Sequence, residues 1–232
     1  MRLTPLLLTP LLLALTATAM ATAASAQESP WTWSGQATVV SDYRDRGYTL
    51  SDEEPALQGE LTLIHDSGFY GGLWASTIDD YGIGPDGDGA RIEVTLYAGW
   101  YGTVSGWDVD IGVWDNRYPD GTDVDYVEFP VQIGRSIGPA GWTLGVIYAP
   151  SQTGLGDQDN TYLWTRVDYA PTTWPVSLSA TLGHEDGSFA PDGKIDWKLA
   201  AERDFGPATL GLAWVDSDTE DSAVVLSVGV GF

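Results

Sequence analysis

The sequence predicts an all-β chain, a transmembrane antiparallel up-and-down β-barrel of about twelve strands, with short periplasmic turns and longer acidic extracellular loops. Three observations carry this. Segments of ~9–11 residues alternate apolar and polar side chains, the period of a strand whose two faces meet different surroundings. The connections between segments alternate between short turns and loops rich in Asp and Gly. Aromatic residues gather at the ends of the apolar faces, as amphipathic rings do at lipid headgroups.

Ahead of the strands, Met1 and Arg2 precede a Leu-rich run from Leu6 to Leu15, followed by Ala24-Ser25-Ala26. A short positive region, an apolar run too short to span a bilayer, and small residues at a cleavage site together describe a secretory signal peptide. The expected division is a signal peptide over 1–26 and one outer-membrane barrel domain over 27–232. Beyond the signal no stretch of ~20 apolar residues offers a spanning helix.

Strands are expected at 32–43, 56–65, 69–78, 91–101, 107–115, 124–134, 142–149, 161–169, 176–184, 194–205, 208–215 and 222–232. The first carries Trp33, Gly35, Ala37, Val39 and Tyr43 on its outward face and Ser34, Gln36, Thr38, Asp42 and Arg44 on the other. The fourth sets Ile92, Val94, Leu96, Ala98 and Trp100 against Glu93, Thr95, Tyr97 and Gly99. The fifth sets Trp107, Val109, Ile111 and Val113 against Asp108, Asp110 and Gly112. The ninth and last repeat the pattern with Val176, Leu178, Ala180 and Leu182, and with Val224, Leu226, Val228, Val230 and Phe232. The facing of 69–78 is ambiguous, and Pro130 weakens the sixth segment by removing a ladder donor.

Short turns fall at Asp66-Ser67-Gly68, 102–106, 137–141, 170–175 and Gly206-Pro207; longer loops fall at 45–55, 79–90, 116–123, 150–160, 185–193 and 216–221. An even strand count puts both ends of the barrel on the short-turn side. Beside the short turns lie Trp33, Phe69, Trp100, Trp107, Trp142, Tyr169, Trp174, Phe205 and Phe232, and near the long loops Tyr43, Tyr148, Trp197 and Trp214.

Composition excludes several functions. The chain holds 33 Asp+Glu against 10 Lys+Arg, a net charge of −23. Nucleic acid is therefore not an expected partner, because phosphate binding needs a basic surface. No cysteine is present to staple the fold or serve as a nucleophile.

The segment Ser41-Asp42-Tyr43-Arg44, followed by Arg46-Gly47, Pro55-Ala56 and Gln58-Gly59, opens a dense run of motifs. His65, Ser67-Gly68-Phe69-Tyr70, Gly72, Trp74, Ser76 and Asp79 continue it. Glu93-Val94, Leu96-Tyr97-Ala98-Gly99 and Tyr118-Pro119 echo it further on. In these residues the chain resembles the TorF-type porin family of bacterial outer-membrane proteins. Asp45 departs from the aromatic residue expected between the two arginines. The resemblance implies a channel-type protein of the bacterial outer membrane, and terminal Phe232 matches the aromatic end that barrel-assembly machinery reads. It implies no particular solute.

On the expected facing, Asp42, Glu60, Glu93, Asp108, Asp110, Glu128, Asp168, Asp196 and Glu202 point inward, opposed by Arg44, Arg166 and Lys198. This acidic excess favours cations in any water-filled passage. Arg44 and Arg46 stand at the mouth, either as an anion-binding pair or as neutralisers of nearby acids. Asp86-Gly87-Asp88-Gly89, Asp157-Gln158-Asp159-Asn160 and Asp216-Ser217-Asp218-Thr219-Glu220 space hard oxygen ligands as Ca²⁺ prefers, but none forms a complete EF-hand loop.

Catalysis has only generic candidates: His184-Glu185-Asp186, Asp79-Asp80 and Ser188, with His65 read as a turn residue. The expected function is passive diffusion of small solutes or ions through a weakly cation-selective pore, with no enzyme activity and no cofactor. The alternatives are a closed structural or binding barrel whose acidic loops meet surface partners or divalent cations, and, last, a loop-borne hydrolase.

Overall fold

The computed structural model describes residues 29–82 and 89–232, so the signal-peptide assignment lies outside the described residues. Twelve strands close into one antiparallel barrel: β1 (Trp31–Val40), β4 (Ala56–His65), β5 (Phe69–Tyr81), β6 (Ala90–Val104), β7 (Trp107–Arg117), β8 (Tyr126–Ile137), β9 (Ala140–Gln152), β10 (Gln158–Tyr169), β11 (Ser177–Gly187), β12 (Ala190–Phe205), β13 (Ala208–Ser217) and β14 (Ala223–Gly231). Every wall strand pairs with its sequence neighbour, and β1 pairs with β14 to seal the ring. Two further strands, β2 (Arg44–Asp45) and β3 (Tyr48–Thr49), form a small separate hairpin.

Burial is inverted relative to a water-soluble protein. Leu57, Ile92, Leu96, Leu163, Leu199, Leu226 and Val228 are among many large apolar side chains left exposed, while Glu93, Glu128, Glu185, Lys194 and Asp196 are buried. A wall with apolar side chains outside and charges inside matches a hydrocarbon surround, where a closed barrel alone satisfies the backbone of a sheet.

Strand parity sets the inward face as expected. It also settles the facing of β5, where Tyr70, Ser76 and Ile78 point in while Phe69 and Leu73 point out. Pro130 remains within β8; its ladder to β9 continues through Pro130 and Ile147, whereas the β7 register is interrupted between the pairs Ile111–Val131 and Trp114–Glu128.

Several strands outrun the expected bounds at the long-loop end, as in β12, β9 and β5, so the loops there are shorter than the composition suggests. Composition marks solubility, and extended strands that rise past the apolar band carry the same Asp and Gly as loops.

Inward-facing rings are accommodated by glycines on adjacent strands. A Cβ at Gly145 would sit 2.4 Å from the Trp164 ring, one at Gly72 2.6 Å from the Tyr97 hydroxyl, and one at Gly99 2.4 Å from that of Tyr70. At the seam, Gly35 and Phe232 exchange two backbone hydrogen bonds of 2.9 Å, and the Phe232 ring lies over Gly35.

The aromatic belt at the short-turn end stands where expected: Trp33, Phe69, Trp142, Trp174, Phe205 and Phe232 are exposed. Trp31, against His65, adds to it. At the other rim, Tyr148 is exposed and Trp197 packs beside Trp214.

Tyr43 corrects the expected facing. The wall strand ends at Val40 rather than at 43, and the chain then turns into the mouth. Tyr43 therefore packs inside, against Trp74 and the buried cluster that holds Ile78, Tyr118 and Tyr126.

Candidate functional site

The long-loop mouth is occupied by the chain between β1 and β4. Arg44 pairs with Thr49 and Asp45 with Tyr48, leaving Arg46-Gly47 as a two-residue turn with φ of 47° and 90°. Positive φ at both central positions gives the turn that suits a tight hairpin, and Gly is its natural second residue. Arg46 in that region is uncommon for a residue with a side chain. Gly47 is also needed for close approach, since a Cβ there would lie 2.9 Å from Cβ of Ser217 on β13 and 3.1 Å from Cβ of Asp196 on β12.

From this tip the Arg46 guanidinium spans two carboxylates. It donates to Glu128 on β8 at 2.8 Å and to Glu185 on β11 at 2.9 Å, with the carboxylate side chains only 3% and 1% exposed. Lys194 on β12 completes the clamp, 2.8 Å from Glu185 and donating to the Arg46 carbonyl. Asn116 and Asn160 donate to the same two glutamates. The Arg46 guanidinium lies 5.0 Å from the Tyr162 ring centre, and the Lys194 ammonium 3.7 Å from that of Tyr48, both within cation–π range.

Burial disfavours the Arg46 cation, but Glu128, Asp45 and Glu185 outweigh it and hold its pKa well above the ordinary arginine value. Tyr43 at the root of the hairpin is pushed well above an ordinary phenol by burial and then by Glu93, so it serves as a neutral donor to Glu93 at 3.1 Å.

The other expected residues fall into two levels. At the mouth, Asp42 pairs with Arg44 at 2.5 Å, Glu93 also accepts from Tyr118 at 2.9 Å, and Asp196 accepts from Tyr162 at 3.1 Å. Deeper, Glu60 accepts from Tyr97 at 2.7 Å, Asp110 from Tyr70 at 2.7 Å and Gln132 at 3.2 Å, and Asp108 from Thr103 at 3.0 Å. Arg166 and Asp168 pair at 2.7 Å, with Lys198 and Glu202 inward on β12.

Glu185 and Lys194 escape the sequence reading because the first falls in an expected loop and the second at an expected strand end. The parity of β11 and β12, carried a few residues further, places both inward.

Accessibility changes along the lumen. On β12, Lys194 and Asp196 are buried whereas Lys198, Ala200 and Glu202 are half-buried. On β11, Glu185 and Gly183 are buried and Thr181, Ser179 and Ser177 half-buried; on β10, Tyr162 and Trp164 give way to Arg166 and Asp168 in the same manner. The lumen is thus filled at the long-loop end and accessible at the short-turn end along β10, β11 and β12.

The remaining candidates are not assembled. Asp79 and Asp80 pair with Arg91 on β5 and β6, across the twelve-stranded ring from exposed His184 on β11. Ser188 donates to the Leu155 carbonyl at 2.7 Å, and His65 meets Ser67 at the β4–β5 turn. Among the described residues no three Asp, Glu or His side chains converge as metal ligands; Asp86 to Asp88 lie outside the described residues.

A family model described as "Bacterial protein of unknown function (Gcw_chp)" matches residues 23–230. Among solved structures the chain resembles a KdgM porin, with a TM-score of 0.60 at 9% identity over 86% of this chain and 98% of that one. It resembles an outer-membrane channel of the COG4313 group from Pseudomonas putida F1, with a TM-score of 0.54 at 12% identity over 86% and 95%. A NanC porin gives 0.53 at 9% identity over 86% and 98%. At such identities the likeness is one of fold, and these neighbours are porins and channels, not enzymes. No curated protein sequence matches.

Proposed function

The chain belongs to the Gcw_chp family of bacterial proteins, and from that premise we propose that it is a narrow outer-membrane channel for passive diffusion of small solutes or ions, weakly selective for cations. The carrying observation is the inverted barrel: an apolar outer wall around a lumen lined with carboxylates, hydroxyls and amides. The TorF-type motifs over residues 41–101 support the same reading. Inward carboxylates outnumber the inward cations Arg44, Arg46, Arg166, Lys194 and Lys198. A negative lumen concentrates cations, and the bias weakens as the Debye length falls from ~8 Å at physiological salt to ~3 Å at 1 M.

A second reading, a closed barrel that binds at its surface, is favoured by the Arg46 clamp across the mouth. Planar-bilayer recording separates the two. The channel reading expects discrete conductance steps and a reversal potential of cation sign under a salt gradient, shrinking near ~1 M salt. Silent bilayers at all voltages would establish the closed barrel, and an anion-signed reversal potential would overturn the selectivity.

A further inference from the structure

Lys198 has a position unlike that of the other lumen cations. Arg44, Arg46, Arg166 and Lys194 each have a carboxylate within 4 Å, and Lys198 has none among the described residues. It lies in the half-buried, accessible stretch of β12, not in the filled mouth. Arg166 stands beside it: Arg166 is level with Thr181, and Thr181 with Lys198, across three successive strands. Adjacent strands are about 4.8 Å apart, so these two long side chains can converge on one group above Thr181. Glu202, four residues nearer the short-turn end, acts on Lys198 only from beyond ion-pair distance.

Asp168 occupies the Nε and Nη2 edge of Arg166, but Nη1 has no partner among the described residues; together with Lys198, above a hydroxyl donor, it forms a receptor for a carboxylate. The rest of the lumen restricts which carboxylates can reach it. Glu60 on β4 and Asp110 on β7 belong to the stretch of wall that faces β10 to β12 around the ring, and among the described residues their partners are hydroxyls and an amide. A simple anion entering this lumen is repelled by that wall. A solute that carries an ammonium group as well as a carboxylate matches both sides, and repulsion of the wrong solute sharpens the choice.

We propose that Lys198, with Arg166, binds the carboxylate of small dipolar solutes whose ammonium group faces Glu60 and Asp110. This rests on the channel reading for its physiological sense, since it names the class of solute that the lumen would admit. The binding itself is measurable without any conductance.

The test is titration calorimetry on the full-length, detergent-solubilised protein at low ionic strength, with β-alanine, acetate and methylammonium as separate probes. β-Alanine is expected to bind, and each single-charge probe to bind at least about tenfold more weakly, a gap of ~1.4 kcal/mol. Lys198→Met should weaken β-alanine by about tenfold or more, whereas Lys198→Arg, which keeps the cation, should retain it within about threefold. Heat-modifiable mobility of both variants confirms that the barrel is intact. No β-alanine binding, acetate binding equal to β-alanine, or a folded Lys198→Met variant with unchanged affinity would each overturn the proposal. Lys198-dependent binding by a protein that is silent in bilayers would keep the site and reject the channel. Conductance without Lys198-dependent binding would keep the channel and reject the site.

Discussion

Arg46 shows how one side chain can join three strands of a wall. Its partners Glu128 and Glu185 stand 82 and 139 residues away, on opposite sides of the β9–β10 hairpin. Removing a buried partner leaves the other charge uncompensated, which costs more than the intact pair contributes. Arg46→Ala is therefore expected to destabilise the barrel by about 3–5 kcal/mol, seen as a lower temperature for loss of heat-modifiable mobility. Adding Glu128→Gln to the same chain should restore part of that loss, because Glu128 is then no longer an uncompensated charge while Glu185 keeps Lys194. Equal stability of wild type and Arg46→Ala would show that the clamp is not holding the mouth. pH should not substitute for the mutation. The folded-state pKa of Arg46 is raised, so its contribution is complete below the unfolded value and is lost only as pH rises through the folded one. That window lies far into alkali, so deprotonation of Arg46 should not break this contact near neutral pH.

Strands were the legible part of the sequence, because parity is a local property that repeats over many residues. Leu96 and Val228 read as lipid-facing from alternation alone, and both are about half exposed, at 49% and 50%. Leu96→Arg and Val228→Arg should each cost ~2–4 kcal/mol if they sit near the bilayer midplane, measured as a reduced folded fraction in lipid vesicles. Glu93→Gln, facing the two tyrosine donors, should leave the folded fraction unchanged. Equal damage from all three would mean that the assigned facing does not decide the cost, and tolerance of both arginines would mean that the wall faces the other way. Parity failed at Tyr43 for a physical reason. The alternation runs on through Ser41 to Arg44, yet the Ser41 N–H already bonds to Leu226 on β14 and the next residues leave the ladder. What draws them inward is long-range: the Asp79 N–H bonds to the Leu50 carbonyl, and Tyr43 meets Trp74. No window of a dozen residues contains those partners. The glycine–ring pairs were equally illegible, since Gly145 and Trp164 become neighbours only once the register of β9 and β10 is known.

The whole molecule is a barrel with two unlike ends, and this decides where a permeating solute meets resistance. At the short-turn end the inward residues of β10, β11 and β12 are accessible; at the long-loop end the hairpin of β2 and β3 fills the mouth between β8, β11 and β12. Replacing residues 44–49 with a short Gly/Ser link removes the tip and its clamp while leaving all twelve wall strands. Single-channel conductance in planar bilayers is then expected to rise severalfold over wild type, because the narrowest section has been opened. Selectivity should move as well, and its direction follows from the charges withdrawn. The link removes Arg44 and Arg46 with only Asp45, and it uncovers Glu128 and Glu185, so the mouth becomes more negative. Cation preference should therefore increase at physiological salt, where the Debye length of ~8 Å still lets these carboxylates act across a narrow opening. A folded variant with wild-type conductance would place the constriction lower, at the inward rings of Tyr70, Tyr97 and Trp164, and would make the hairpin a structural brace instead of a gate. A wider pore that lost its cation preference would mean that the acids beneath the hairpin do not line the path.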